Sequence, residues 1–183
     1  MSVDPSWVLA LMLKAQPHAP WSNTYESTAE AIAKAAEMYP SFGGDDGPAR
    51  TAAWLVSLGF FEGALKQDAV GDCHEKNDKG MCLPGAVPHS FCMFQINETN
   101  HQYLGVTKND LLTDINVCAQ SAAKLMQQSF RMCKASPLEE RLRWYAGGGP
   151  VCTENEDAGR KSRHRALKGV WLFSNVKTAK AKE

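Results

Sequence analysis

Apolar positions recur at helical spacing through most of the chain, and the pattern predicts a mainly α protein. The run Trp7 to Leu13 follows Asp4-Pro5. Asp at an N-cap with Pro at the first helical position predicts a short buried or amphipathic helix there. A second helix is expected from about Tyr25 to Met38, with Ser27-Thr28-Ala29-Glu30 as its capping box and Pro40 beyond its end. A third starts near Pro48, after the Gly- and Asp-rich loop 41–47, and ends at Glu62. Between Gly63 and Tyr103 the residues Gly63, Gly71, Gly80, Pro84, Gly85 and Pro88 interrupt any helical period. Within that stretch, residues 91–97 read as a short strand or extended segment. A fourth helix over about 114–132 keeps Ile115, Cys118, Ala122, Leu125 and Met126 on one face. A fifth is expected after Ser136-Pro137, with Ser136 as cap and Glu139 completing a capping box, up to the break Gly147-Gly148-Gly149-Pro150. The last covers about 158–173 and leaves a charged, frayed tail at 177–183. No internal repeat or long linker divides the 183 residues, so one domain is expected over 1–183.

Composition narrows the class. Hydrophobic residues at 44% and charged residues at 22% are those of an ordinary globular chain with a real core. No window is apolar for long enough to span a membrane. The formal charge is zero, which argues against a nucleic acid or an anionic membrane held by bulk charge. The six cysteines Cys73, Cys82, Cys92, Cys118, Cys133 and Cys152 form no Cys-x-x-Cys pair. Their even number and wide spread suggest three disulfides and an oxidising compartment, whereas the plainer reading is six buried free thiols. Cys73–Cys82 is the expected pair, because it brackets a polar loop; the rest of the connectivity stays open. A zinc site of Cys73, His74 and Cys82 fits no common ligand spacing. Export to the periplasm or outside the cell is expected, with any signal removed ahead of Met1.

One carboxylate changes the picture. Glu62 ends the apolar run 52–61, beside Phe60 and Phe61. A helix C-terminus disfavours negative charge, and flanking aromatics disfavour ionisation further. Both raise a carboxyl pKa toward the range useful to a general acid. On its own, a solvated helix-end carboxylate is the commoner fate of a Glu.

Three segments follow one another in order: Phe61-Glu62-Gly63 with 69–72 behind it, Ser90-Phe91-Cys92-Met93-Phe94-Gln95-Ile96-Asn97, and Leu142-Arg143-Trp144-Tyr145-Ala146-Gly147-Gly148. This set resembles the lysozyme-like superfamily, closest to soluble lytic transglycosylases and goose-type lysozymes, over roughly 49–145. The resemblance implies a single-domain lysozyme-like fold with a small irregular or β-like region after the catalytic helix, and a catalytic core at about 48–173. It implies that Glu62 is the essential acid. Ser90, Gln95, Asn97 and Tyr145 become substrate-binding candidates, Gln95 by lining the glycan groove and Tyr145 by packing near the acid. The chain departs from the family at Gly63, where Ser is usual, at Cys92, where Gly is usual, and at Ala146, where Asn is usual.

The implied substrate is the glycan strand of peptidoglycan, cut between N-acetylmuramic acid and N-acetylglucosamine, without metal or cofactor and by a monomer. Glu62 would protonate the glycosidic oxygen. A lysozyme adds a second carboxylate, for which Asp72 is the first choice, ahead of Asp68, Glu75 and Asp78. A lytic transglycosylase uses the one acid again as base. The acids near Glu62, together with the missing Ser and Asn, motivate the expectation that a de-N-acetylated glycan is preferred. The alternative is a non-catalytic peptidoglycan-binding module on the same fold. The basic cluster Arg160, Lys161, Arg163, His164, Arg165 and Lys168 reads first as a solvated helix face.

Overall fold

The structure, a computed structural model, describes residues 2–73, 75, 77, 82–147, 152 and 156–176. Helix α1, Pro5–Ala15, starts where the sequence predicts, and the Asp4 carboxylate accepts a hydrogen bond from Ser6 N–H at 2.8 Å. Helix α2 is Tyr25–Met38, but its expected capping box does not form. Ser27 and Thr28 lie inside the first turn, where their hydroxyls donate back to the Thr24 carbonyl at 3.0 and 2.7 Å. These bonds satisfy a carbonyl rather than the free N–H groups that a cap would serve.

Helix α3, Gly47–Gly63, is the centre of the fold. Residues 51–59 are all buried, so the helix is covered on every side. After it comes a three-stranded antiparallel sheet of β1, Val70–Cys73, β2, Pro88–Phe91, and β3, Ile96–Asn97, in the order β1-β2-β3. Gly71 pairs with Ser90, and Ser90 with Asn97. The segment 91–97 is therefore neither one strand nor simply extended. It is the tight turn of a hairpin, closed by Gln95 N–H donating to the Cys92 carbonyl at 2.9 Å. Cys92 and Gln95 both take left-handed φ, of 59° and 49°.

Two short helices follow that the periodicity missed, α4, His101–Leu104, and α5, Lys108–Thr113. The second carries a complete capping box between Thr107 and Asp110. Helix α6, Ile115–Met132, is capped by Asp114, whose carboxylate accepts from Asn116 N–H at 2.8 Å. The expected fifth helix is corrected to a 3-10 turn at Leu138–Glu140 with no side-chain cap, followed by the short α7, Arg143–Gly147. Only Gly147 of the glycine break lies within the described residues. Helix α8, Glu156–Asn175, is longer at both ends than the pattern suggests, and it packs most extensively against α3. Gly169 makes that packing close: a Cβ there would stand 2.6 Å from Cδ1 of Trp54.

The fold is mainly α with one small sheet after α3. One hydrophobic cluster runs from Val3 in front of α1 to Leu172 on α8. All six cysteines are paired, as Cys73–Cys82, Cys92–Cys118 and Cys133–Cys152. The bond between Cys73 and Cys82 takes up both sulfurs that a zinc reading would need. Among the described residues no three His, Cys, Asp or Glu side chains converge as a metal site, and no helix is long and apolar enough to cross a membrane.

Candidate active site

The end of α3 is pressed against the hairpin turn. A Cβ on Gly63 would lie 2.7 Å from both Cα and the carbonyl oxygen of Met93. Backbone thus occupies the space that a side chain at position 63 would need. The chain leaves the helix through two left-handed residues, Ala64 at φ 49° and Leu65 at φ 57°. Leu65 N–H returns to the Gly59 carbonyl at 2.9 Å, satisfying one of the helix's last carbonyls. Leu65 itself is buried, which anchors the reversal.

Glu62 lies one residue before that end, with its side chain 17% exposed. Its partner is Arg165 of α8, whose own side chain is 8% exposed. Arg165 Nε donates to Glu62 Oε1 at 2.7 Å, and Nη2 reaches the same oxygen at 2.5 Å. Both donors converge on one atom. Oε2 receives no hydrogen bond among the described residues. Burial raises the Glu62 pKa above its ordinary 4.5 and outweighs the Arg165 guanidinium, which pulls it down through charge and hydrogen bond. Lys161 adds a smaller downward pull, and the charge of Asp72 a small upward one.

Tyr145 comes in from α7. Its hydroxyl donates to the Phe94 carbonyl at 2.8 Å, and its N–H donates to Ser129 Oγ at 3.1 Å. The ring is half-buried with the hydroxyl end innermost. Burial holds that hydroxyl well above its usual pKa, the charge of Glu62 adds to the effect, and Arg165 opposes it. Tyr145 is thus a neutral donor that ties α7 to the hairpin turn next to the acid.

Gln95 is held in the turn by its own amide, Nε2 donating to the Cys92 carbonyl at 3.1 Å. Its Oε1 faces Gly71 of β1, where a Cβ would approach it to 2.4 Å. Gln95, Asn97 and Tyr145 line one small cleft with Asn100, Leu125 and Trp144. Its volume of about 50 Å³ admits a small substituent such as an acetamido group, not a sugar ring.

The remaining candidates divide. Ser90 is buried on β2 and lies behind Asn97, whose Nδ2 reaches its Oγ at 3.4 Å, so it backs the cleft rather than lining it. Asn97 spends its carbonyl on Thr99 N–H and Oγ1, at 3.0 and 2.8 Å, which leaves only its amide end toward the cleft. Glu62 is not among these lining residues, though its charge reaches the Tyr145 hydroxyl. Asp72 is exposed on β1 at φ 55°, and its effect on Glu62 is the smallest of those acting there. Asp68 and Glu75 are exposed, and Asp78 and His74 lie outside the described residues.

Sequence reasoning missed Arg165, Asn100 and Trp144. Arg165 had been grouped with a solvated basic face, yet it is 7% exposed. The signal was present, because Ala158, Ser162, Arg165, Ala166, Gly169 and Leu172 form the buried stripe of α8 and one of them carries a charge. The rest of the cluster does face outward, Arg160 and Lys161 pairing with Asp157, and Arg163 with Glu140. No family model matches this chain, and no curated protein or solved structure matches it either.

Proposed function

We propose that this chain cleaves the glycan strands of peptidoglycan between N-acetylmuramic acid and N-acetylglucosamine, with Glu62 as the general acid. The observation that carries the reading is a half-buried glutamate of raised pKa at a helix end, beside the turn that presents Gln95 and the tyrosine that the family resemblance calls for. With Oε1 engaged by Arg165, the proton of the neutral acid belongs on Oε2. From there it passes to the glycosidic oxygen as an oxocarbenium-like centre develops. Glu62, now ionised, is stabilised by the guanidinium already in place. It can take a proton back, either from water or from the muramic 6-hydroxyl in a lytic transglycosylase reaction. Asp72 is the second-carboxylate candidate for the hydrolytic route.

Among the described residues the cleft is lined by amides, aromatics and Leu125, and by no carboxylate. It suits a neutral acetamido group better than a free amine, and so favours the acetylated strand over the de-N-acetylated one. Three disulfides accord with action outside a reducing compartment.

A second reading, a glycan-binding module without catalysis, draws on the Arg165–Glu62 pair itself, since an arginine-held carboxylate can serve as a plain tie between helices. Glu62→Gln separates the two. The catalytic reading expects clearance of sacculi to fall at least about 100-fold with binding retained. Unchanged clearance, or no clearance by the wild type, would refute it. Mass spectrometry of the released muropeptides then reads the fate of the bond: an anhydro end for transglycosylation, a reducing end for hydrolysis.

A further inference from the structure

The outer face of α8 carries an apolar stripe that none of the described residues covers. Leu167, Val170 and Trp171 are 63%, 48% and 40% exposed, and their i, i+3, i+4 spacing places them side by side. Leu13 of α1, 40% exposed, is the neighbour of Lys14, whose Nζ lies 5.6 Å from the Trp171 ring. Lys168 lies over the same ring at 4.7 Å and over Phe60 at 5.1 Å. Two ammonium groups thus share one exposed indole. Neither has a carboxylate partner among the described residues, whereas Arg160, Lys161 and Arg163 on the same helix are paired. Burial against the rings lowers the Lys168 pKa, and the charge of Lys14 lowers it further. A shallow, mostly apolar cavity of about 440 Å³ adjoins the stripe, reaching from Leu167 and Val170 to Trp54, with one charge of each sign, Glu139 and Arg163, on its wall.

We propose that this face docks on an anionic lipid surface, with Leu167, Val170 and Trp171 in the headgroup–acyl boundary and Lys14 and Lys168 on the acidic headgroups. Large apolar side chains beside an amphipathic indole and unpaired lysines are what an interfacial helix requires. A soluble saccharide would need the indole and the ammonium groups but not the aliphatic stripe. The neutral overall charge is no obstacle, because electrostatic attraction to a membrane falls off within a Debye length and only the charges at the contact count. The face is separate from Glu62, so docking does not depend on the chain being a glycan-cleaving enzyme.

The test is sedimentation of the protein with phosphatidylcholine vesicles, with and without phosphatidylglycerol, across salt concentrations. Binding is expected with the anionic lipid and is expected to weaken with salt. Each lysine contributes about fivefold, so Lys14→Gln with Lys168→Gln lowers affinity roughly twenty-five-fold. Leu167→Ser weakens binding at unchanged lysine charge, and thermal melts of each variant confirm folding. Glu62→Gln binds vesicles as the wild type does. No vesicle binding, or equal binding to neutral and anionic vesicles, would overturn the proposal. So would a dimer in solution that Leu167→Ser abolishes, or retention on sacculi through Lys14 and Lys168 without lipid binding.

Discussion

Arg165 turns both Nε and Nη2 onto a single oxygen of Glu62, at 2.7 and 2.5 Å, and among the described residues the other oxygen receives no hydrogen bond. The carboxyl is thereby oriented before any substrate arrives, and its protonation is set by two opposed effects, burial upward and the guanidinium downward. Of these, only the guanidinium can be removed by one substitution that leaves the acid in place.

Arg165→Met is expected to raise the Glu62 pKa. The alkaline limb of the sacculus-clearance profile should move up with it. Arg165→Lys, which keeps a charge but loses the two-pronged donation, should move it less. A limb that stays in place in both variants would detach Arg165 from the control of this acid.

Stability carries a second signature of the same acid. A carboxyl whose folded pKa is raised binds its proton more tightly in the native state than in the unfolded chain. Its contribution is therefore most favourable below the ordinary value of 4.5, and it declines as pH rises through the raised folded pKa. Glu62→Gln removes this dependence. The melting temperature of the variant relative to wild type should climb as pH is raised from below 4.5 toward neutrality, whatever its offset at the acid end. A difference that falls with pH would mean that the pair with Arg165, not burial, dominates.

Any side chain at the helix end should do harm. Gly63→Ser places a Cβ against the Met93 backbone, which cannot rotate out of the way as a side chain could. The expected destabilisation is about 1–3 kcal/mol, measured by denaturant midpoint, with lower clearance because the turn that holds Gln95 is displaced. A neutral Gly63→Ser would show that the turn yields freely.

Gly71→Ala makes the complementary test. There the new methyl meets only the end of the Gln95 side chain. Stability should change by less than about 0.5 kcal/mol, the range of substitutions that meet only a yielding group, while the KM for glycan rises as Gln95 is pushed from the cleft. Unchanged kinetics in a stable variant would remove Gln95 from substrate binding.

Much of this was legible in the residues. The first three helices and α6 announce themselves through Asp4-Pro5, the Pro40 stop, the apolar run before Glu62 and Asp114, because local caps and period decide them. The hairpin was not legible, since its register depends on Gly71 meeting Ser90 and Ser90 meeting Asn97, pairings that no local pattern encodes. The capping boxes at Ser27 and Ser136 misled because Ser and Glu also fit the first turn of a helix or a 3-10 turn. At the site, Glu62 could be singled out from its neighbours, and the resemblance supplied Gln95 and Tyr145. The charge of Arg165 on a buried stripe was a legible oddity, but its partner, 103 residues away, was not.

The link between Cys92 and Cys118 gives the cleft a history. Cys92 begins the turn and Cys118 lies on α6, 26 residues later; both are fully buried. Cys92 and Gln95 hold left-handed backbone that ordinary residues avoid, and the covalent tie secures the first of them. A newly made chain in a reducing environment has the helices and the acid but no such anchor for the turn that carries its glutamine. Reduction of that one bond is therefore expected to loosen the turn, and with it Gln95, before it disturbs the helices.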